Sequence, residues 1–418
     1  MNFIDSDSFA STMDADDPLA YLRGSFNYPS EHRGQPCTYF CGNSLGLQPK
    51  ATSGHIGKEL DRWHRIGVEG WFDEKDPWLT YQDTLSGPMS KIVGAKPQEV
   101  VIMNSLTVNL HLLMASFYRP GGKRYRILME SDAFPSDRYA LQAQVSAHGH
   151  DPSDAIIILS PDEGPCISTG QVLRTIREHN DELALVLLGG VNYYTGQLFD
   201  IEKITAEAHA VGAIAGWDLA HAAGNVPLRL HDHQVDFAAW CNYKYLNSGP
   251  GSVASAFIHE KHHSPDVPRL SGWWGQSLGS RFNMRKEWDP APGASGWMVS
   301  TPPILALACV RSSLELFEKA GMDRIRAKSL LLTGYLEFLL TTSGNSRFEI
   351  ITPTDTTRRG SQLSIRVRGA DKSLLEKLND RGIIVDWREP DVIRVAPAPL
   401  YNTFTEVRNF VIELRKLT

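Results

Sequence analysis

The sequence predicts an α/β protein, a mostly parallel seven-stranded sheet covered by helices, with a smaller α+β domain attached. Three observations carry this expectation. Seven apolar runs of strand length recur between residues 100 and 258. Several are apolar nearly throughout, as strands buried on both faces are. Helical segments lie between most of them, and alternating β and α elements build a sheet with helices on its faces. Beyond residue 300 the pattern changes to a long helical region followed by short strands.

The elements follow in chain order. Residues 1–95 hold helical pieces and aromatic-rich loops. The seven runs are Val100–Met103, Arg126–Met129, Ala155–Leu159, Leu183–Leu188, Ala213–Trp217, Phe237–Cys241 and Val253–Ile258. Leu106, Leu110, Leu113 and Phe117 share one helical face. Asp137–Gly149 reads as a helix. Ser168 or Thr169 is placed to cap the next helix. Asp200 caps the one after it, with Gly212 as its stop. Pro302 and Pro303 open a helical region from about Ile304 to Leu340, with a break at Gly321. The strands FEIITP, QLSIRV, IIVDW and VIRVAP, helices around Lys372–Arg381 and Thr405–Leu417, and a charged turn at Arg358–Gly360 make the smaller unit. The expected division is 96–300 for the large domain and 301–418 for a linking helix and the small domain. Residues 1–95 contribute to the small domain and to active-site loops.

Composition narrows the function classes. The chain has 418 residues and a net charge of −6, which argues against nucleic acid or an anionic membrane as partner. Its 42% hydrophobic content is that of a folded soluble protein. Five cysteines without a CxxC pair do not make a disulfide framework. The acidic start MNFIDSDSFASTMDADD lacks the features of a signal peptide, and the longest apolar stretch, near Leu183–Val191, is too short to span a bilayer. A cytoplasmic protein is the expectation.

The chemistry concentrates in Gly216–Gly251. Asp218 closes one apolar strand, where α/β sheets place ligands, and His221 follows it. Lys244 comes just past the next strand. An aspartate and a lysine at two strand ends suit pyridoxal phosphate (PLP): the lysine amine forms a Schiff base, and the aspartate keeps the pyridine nitrogen protonated. Taken alone, the spacing equally fits a solvated lysine and a helix-capping aspartate. Three further features raise the PLP reading. Leu106 and Thr107 stand at a strand-to-helix turn, where free N–H groups and the helix dipole bind phosphate. Phe134 follows a strand and offers a ring to stack on the pyridine. Tyr243 precedes the lysine.

A competing motif is His259-Glu260-Lys261-His262-His263, which matches the HExxH zinc pattern. It ends a strand-like run and is stopped by Pro265, so it reads as a polar loop and no metal is expected. His231 and His233 likewise read as a solvated loop.

On these residues the chain resembles kynureninase, a PLP-dependent hydrolase family of fold type I. The resemblance runs through Tyr39–Lys50, Phe134–Asp137, Asn192–Asp200, Asp218–Asn225, Trp240–Gly251, Gly272–Trp274, Ser300–Ile304 and Ile393–Asn402. It implies hydrolytic Cβ–Cγ cleavage of L-kynurenine to anthranilate and L-alanine, in tryptophan catabolism. It implies Lys244 as the Schiff-base lysine, Asp218 as the pyridinium partner and Tyr243 as a candidate proton donor. His221, Phe134, Ser136 and Asp137 would hold the ring, and Leu106, Thr107 and Tyr243 the phosphate side. Trp273 and Thr301 would complete the cofactor site at the boundary of a homodimer. Arg394 would receive the substrate α-carboxylate, with Asn43 and Ser44 in a nearby loop. Trp71 and Thr301 stand where the animal enzymes carry His and Asn, so the chain resembles the bacterial type, with 3-hydroxykynurenine the poorer substrate. Gly189 stands where relatives carry Ser or Thr. The rivals are a cysteine desulfurase-like lyase, for which Cys241 is the nearest thiol, and a PLP-binding protein without activity.

Overall fold

The seven apolar runs form one sheet. In the computed structural model of the chain they become β1 (Val100–Ile102), β2 (Arg126–Glu130), β3 (Ile156–Leu159), β4 (Leu183–Gly189), β5 (Ile214–Asp218), β6 (Phe237–Trp240) and β7 (Ser255–Ile258). Residues 2–30 and 37–418 are described; Met1 and residues 31–36 of the N-terminal segment lie outside them. The strand order is β1-β7-β6-β5-β4-β2-β3. Every pairing is parallel except those of β7, which runs antiparallel to β1 and β6. The reason is local. No helix separates β6 from β7, and a parallel return needs a crossover.

The longer helices are α1 (Asp7–Ala15), α2 (Thr52–Ile66), α3 (Asp83–Val93), α4 (Leu106–Phe117), α5 (Pro135–Ala147), α6 (Thr169–Glu178), α7 (Ile201–Ala210), α8 (Ile304–Ala320), α9 (Met322–Thr341), α10 (Ser373–Asn379) and α11 (Phe404–Leu417). Of the two candidate caps for α6, Ser168 accepts from Gln171 N, and Asp200 accepts from Lys203 N at the start of α7. Gly321 separates α8 from α9 at φ +74°, a conformation that a side chain there would strain.

The two faces of the sheet bury separate cores, and the period of two is visible in β4. Val186 and Leu188 pack with α6, α7 and α8 residues such as Ile176, Ile204 and Leu314. Leu185 and Leu187 pack on the other face with Leu113 of α4 and Val145 of α5. Each such side chain, fully buried, contributes about 1.5–3 kcal/mol.

A second, antiparallel sheet has strands β8 (Phe348–Ile350), β9 (Leu363–Val367), β10 (Asp386–Arg388) and β11 (Val392–Val395), in the order β8-β9-β11-β10. Ile365 and Val395 pack with Leu336 of α9 and Phe410 of α11, joined by Ala10 and Phe40 from the N-terminal segment. That segment is tied in by its backbone: Thr38–Tyr39 pairs in parallel with Ile383–Ile384, and Ala396 N donates to Phe40 O. This pairing sets Asn43 and Ser44 beside β11.

Candidate active site

The C-terminal ends of the parallel strands converge on a cavity of about 360 Å3. Glu130, Gly189 and Asp218 line it, each the last residue of its strand. An apolar strand leaves the core at its end, and there the chain first tolerates a polar side chain. Lys244 enters from the segment after β6, and His221 from the turn after β5. Arg394 of β11 and the Asn43–Ser44 loop close the cavity from the small sheet.

Lys244 Nζ donates to His221 Nε2 at 3.0 Å. The imidazole is buried, and burial together with the Lys244 charge pushes its pKa well below the usual value. It is therefore neutral, and its buried Nδ1 finds no partner among the described residues. Asp218 Oδ1 accepts from Ala220 N at 2.8 Å. Burial, with Asp218 beside it, raises the pKa of Asp137 well above the carboxylate range. Phe134 lies edge-on to Tyr193, with ring centroids 5.4 Å apart, and Lys244 Nζ is 5.8 Å from the Phe134 ring. Thr107 and Ser136 hydroxyls hydrogen-bond at 2.8 Å. The first turn of α4 faces the cavity, and its cap residue Ser105 gives no side-chain cap. Burial raises the pKa of the Tyr243 phenol, which stays protonated.

These groups fit PLP. An uncapped helix N-terminus suits a phosphate dianion, Asp218 suits a pyridinium nitrogen, and the orphaned His221 Nδ1 and Asp137 Oδ1 have hydrogen-bonding capacity to spend on a ligand.

Trp71, Trp273 and Thr301 do not line this cavity. Trp71 packs against Trp78 and Trp274. Trp273 is half exposed beside Trp274 and Phe282, and Thr301 is exposed. Sequence reasoning missed Glu130, Arg388 and Asp386. Glu130 was legible as the charged residue ending the apolar run RILM. It is buried, and burial raises its pKa to about 7. Its Oε1 accepts from Gly189 N at 3.0 Å, and a Cβ on Gly189 would stand 3.0 Å from that same atom. The bare glycine thus leaves the space that Glu130 uses.

The histidines do not form a solvated loop. His231 and His233 are half-buried, and His231 Nδ1 pairs with the buried Glu99 at 2.9 Å. Glu99, His231 and His259 hold their ligand atoms within 4.8 Å of one another. Those atoms are engaged, however. His259 Nδ1 accepts from Lys261 N, and Glu99 accepts from Lys96 N and Glu260 N. His263 Nε2 contacts Ile258 O. His259 and His263, the two histidines of the HExxH pattern, thus satisfy backbone rather than face each other across a helix. No cysteine lines the cavity, and burial raises the pKa of the Cys241 thiol, the opposite of what a thiolate nucleophile needs.

Comparison with known proteins bears on the family and the fold. A family profile described as "Kynureninase C-terminal domain" matches residues 325–414. A kynureninase of Myxococcus xanthus is 52% identical over 98% of this chain and 96% of its own length. One of Flavobacterium johnsoniae is 51% identical over 100% of this chain and 99% of its own. Among solved structures, a cysteine desulfurase from Thermococcus onnurineus NA1 superposes with a TM-score of 0.74, 17% identity and 97% coverage of both chains. A cystine C–S lyase bound to cysteine persulfide gives 0.76 and 17%, covering 90% of this chain and 97% of that one. At that identity the two structures speak to the fold alone. The full-length identities decide the family: this chain belongs to the kynureninases.

Proposed function

We propose that this protein is a PLP-dependent hydrolase that cleaves L-kynurenine between Cβ and Cγ, releasing anthranilate and L-alanine. The observation that carries the reading is the Lys244–His221 contact beside Asp218 in one cavity, which is the amine, the neutral imidazole and the carboxylate that PLP chemistry needs. When bound, the cofactor supplies an electron sink for charge developing on the substrate. Lys244 anchors it and then moves the α-proton. Asp218 holds the pyridinium proton. The first turn of α4, with Thr107, Ser136 and Tyr243, binds the phosphate. Phe134 covers the ring, and Asp137 sits in its loop. Arg394 binds the α-carboxylate through its planar fork, with Asn43 and Ser44 next to it. Tyr243, kept protonated by burial, is a proton source for the late steps.

The 96–300 and 301–418 portions act as large and small domains, a division supported by their separate sheets, with α8 as the linking helix packed on the large one. The enzyme works as a homodimer, with Trp273 and Thr301 reaching a neighbour's site. This is supported by the exposed Trp273, Phe282 and Phe72 beside one another. Among the described residues no helix is long and apolar enough to cross a membrane, in keeping with a cytoplasmic setting. 3-Hydroxykynurenine is the poorer substrate, with Trp71 and Thr301, both outside the cavity of their own chain, reaching a neighbour's site in place of more polar residues. Turnover of both substrates by purified protein, followed by anthranilate fluorescence, tests the reading; absence of turnover with PLP bound overturns it.

A further inference from the structure

Arg394 is fully buried, and both its terminal nitrogens are already engaged, while Nε has no partner among the described residues. Nη1 donates to Tyr193 O at 2.7 Å. Nη2 donates to Ser44 Oγ at 3.1 Å and also to Asp386 Oδ2. Ser44 Oγ in turn donates to Asp386 Oδ2 at 2.5 Å. The carboxylate of Asp386 therefore sits on the guanidinium that a substrate carboxylate would need. A second guanidinium stands beside it: Arg388, which lines the same cavity, donates from Nη1 to Asp386 Oδ1 at 2.8 Å. The arrangement is fixed by register, since Asp386 is the direct partner of Arg394 across β10 and β11, and Arg388 is two residues along β10. The three groups carry two positive charges and one negative. The surplus of one positive charge, largely out of water, matches one monocarboxylate ligand. Buried charges are tolerated only when paired.

We propose that Asp386 is a built-in placeholder for the substrate carboxylate. It neutralises Arg394 in the empty site, and Arg388 receives it when a ligand carboxylate takes Arg394. Arg388 and Asp386 thereby set affinity and the preference for a single carboxylate. The proposal rests on the assignment of Arg394 as carboxylate receptor.

The test uses the PLP-loaded enzyme and L-alanine, with L-alaninamide as a probe lacking the carboxylate. Dissociation constants are read from the visible absorbance. Asp386→Asn removes the competitor, and alanine should bind about 3–10-fold more tightly while alaninamide changes little. Arg388→Gln leaves Asp386 no other cationic partner, only the Ser44 hydroxyl, and alanine should bind about 10-fold more weakly. In the double variant the Arg388 effect should largely vanish, because the two residues act through one contact. If Asp386 only orients Arg394, Asp386→Asn weakens alanine binding and the placeholder idea falls. Additive effects of the two substitutions also overturn it. Arg394→Gln tests the underlying assignment separately: if the alanine-to-alaninamide preference survives, Arg394 is not the receptor. Asp386→Ser repeats the measurement should the Asn variant fold poorly.

Discussion

His221 Nε2 accepts a hydrogen bond from Lys244 Nζ at 3.0 Å, and nothing among the described residues pairs with its other ring nitrogen. A cationic imidazole is excluded by its burial and by the neighbouring amine. The ring is thus an acceptor that orients Lys244. Lys244→Ala should lose activity by at least about 10^2–10^4-fold, and borohydride should no longer fix the cofactor to the chain. His221→Ala should keep that covalent trapping but lower kcat, because Lys244 loses its fixed direction. Mass spectrometry of the reduced protein and steady-state kinetics check both.

Glu130 yields a pH prediction. Its folded pKa is raised to about 7, from an ordinary value of 4.5, by burial first, with Asp218 and Asp132 adding to it. Asp137 shares the neighbourhood. The folded state therefore binds the Glu130 proton more tightly than the unfolded state does. Stability is fully present below pH 4.5 and declines as pH rises toward 7, by on the order of 3 kcal/mol. Glu130→Gln should remove that decline. Urea unfolding of the cofactor-free protein between pH 5 and 8 measures it, and equal pH slopes for the two proteins would contradict the assignment.

The large sheet and its helices were legible because they depend on local patterning: apolar runs, caps at Ser168 and Asp200, and the break at Gly321 are short-range signals. The Asp218–Lys244 pair was legible because both residues end or follow apolar strands. Asp386 and Arg388 were not, since they lie in no recognisable motif and their meaning comes only from pairing across β10 and β11 with Arg394. Likewise His231 reads as a loop residue until Glu99, far away in the chain, is brought to it.

Asp236 shows the opposite shift to Glu130. Burial disfavours its ionisation, but hydrogen bonds from His209, His262, Ala215 N and Lys261 outweigh that and hold its pKa far below the usual range. A depressed carboxylate pKa contributes stability above the unfolded value that is lost as pH falls below it. Asp236→Asn should destabilise the fold by about 1–3 kcal/mol near neutral pH, since it takes the carboxylate acceptor from His209, His262, Lys261 and Ala215 N. The difference from the unsubstituted protein should shrink below about pH 4. Denaturant midpoints at pH 7 and at about pH 2.5, well below the unfolded carboxylate value, give the answer.

The shared-site reading makes a prediction that a monomer cannot satisfy. Trp273 is exposed and lies outside the cavity that holds Lys244 within the same chain. If it acts on a neighbour's cofactor, a Trp273→Ala chain has a competent Lys244 but fails its partner's site. A Lys244→Ala chain has the reverse defect. Each protein alone should be nearly inactive. Unfolded together and refolded as a mixture, half of the dimers are mixed, and each mixed dimer contains one site with both residues intact. Activity should return to about a quarter of the unsubstituted level, the statistical share for a two-fold symmetric assembly. Recovery should also fall on dilution below the dimer dissociation constant. A mixture that is no more active than its components, with the dimer confirmed by sedimentation, would place Trp273 outside the neighbouring site.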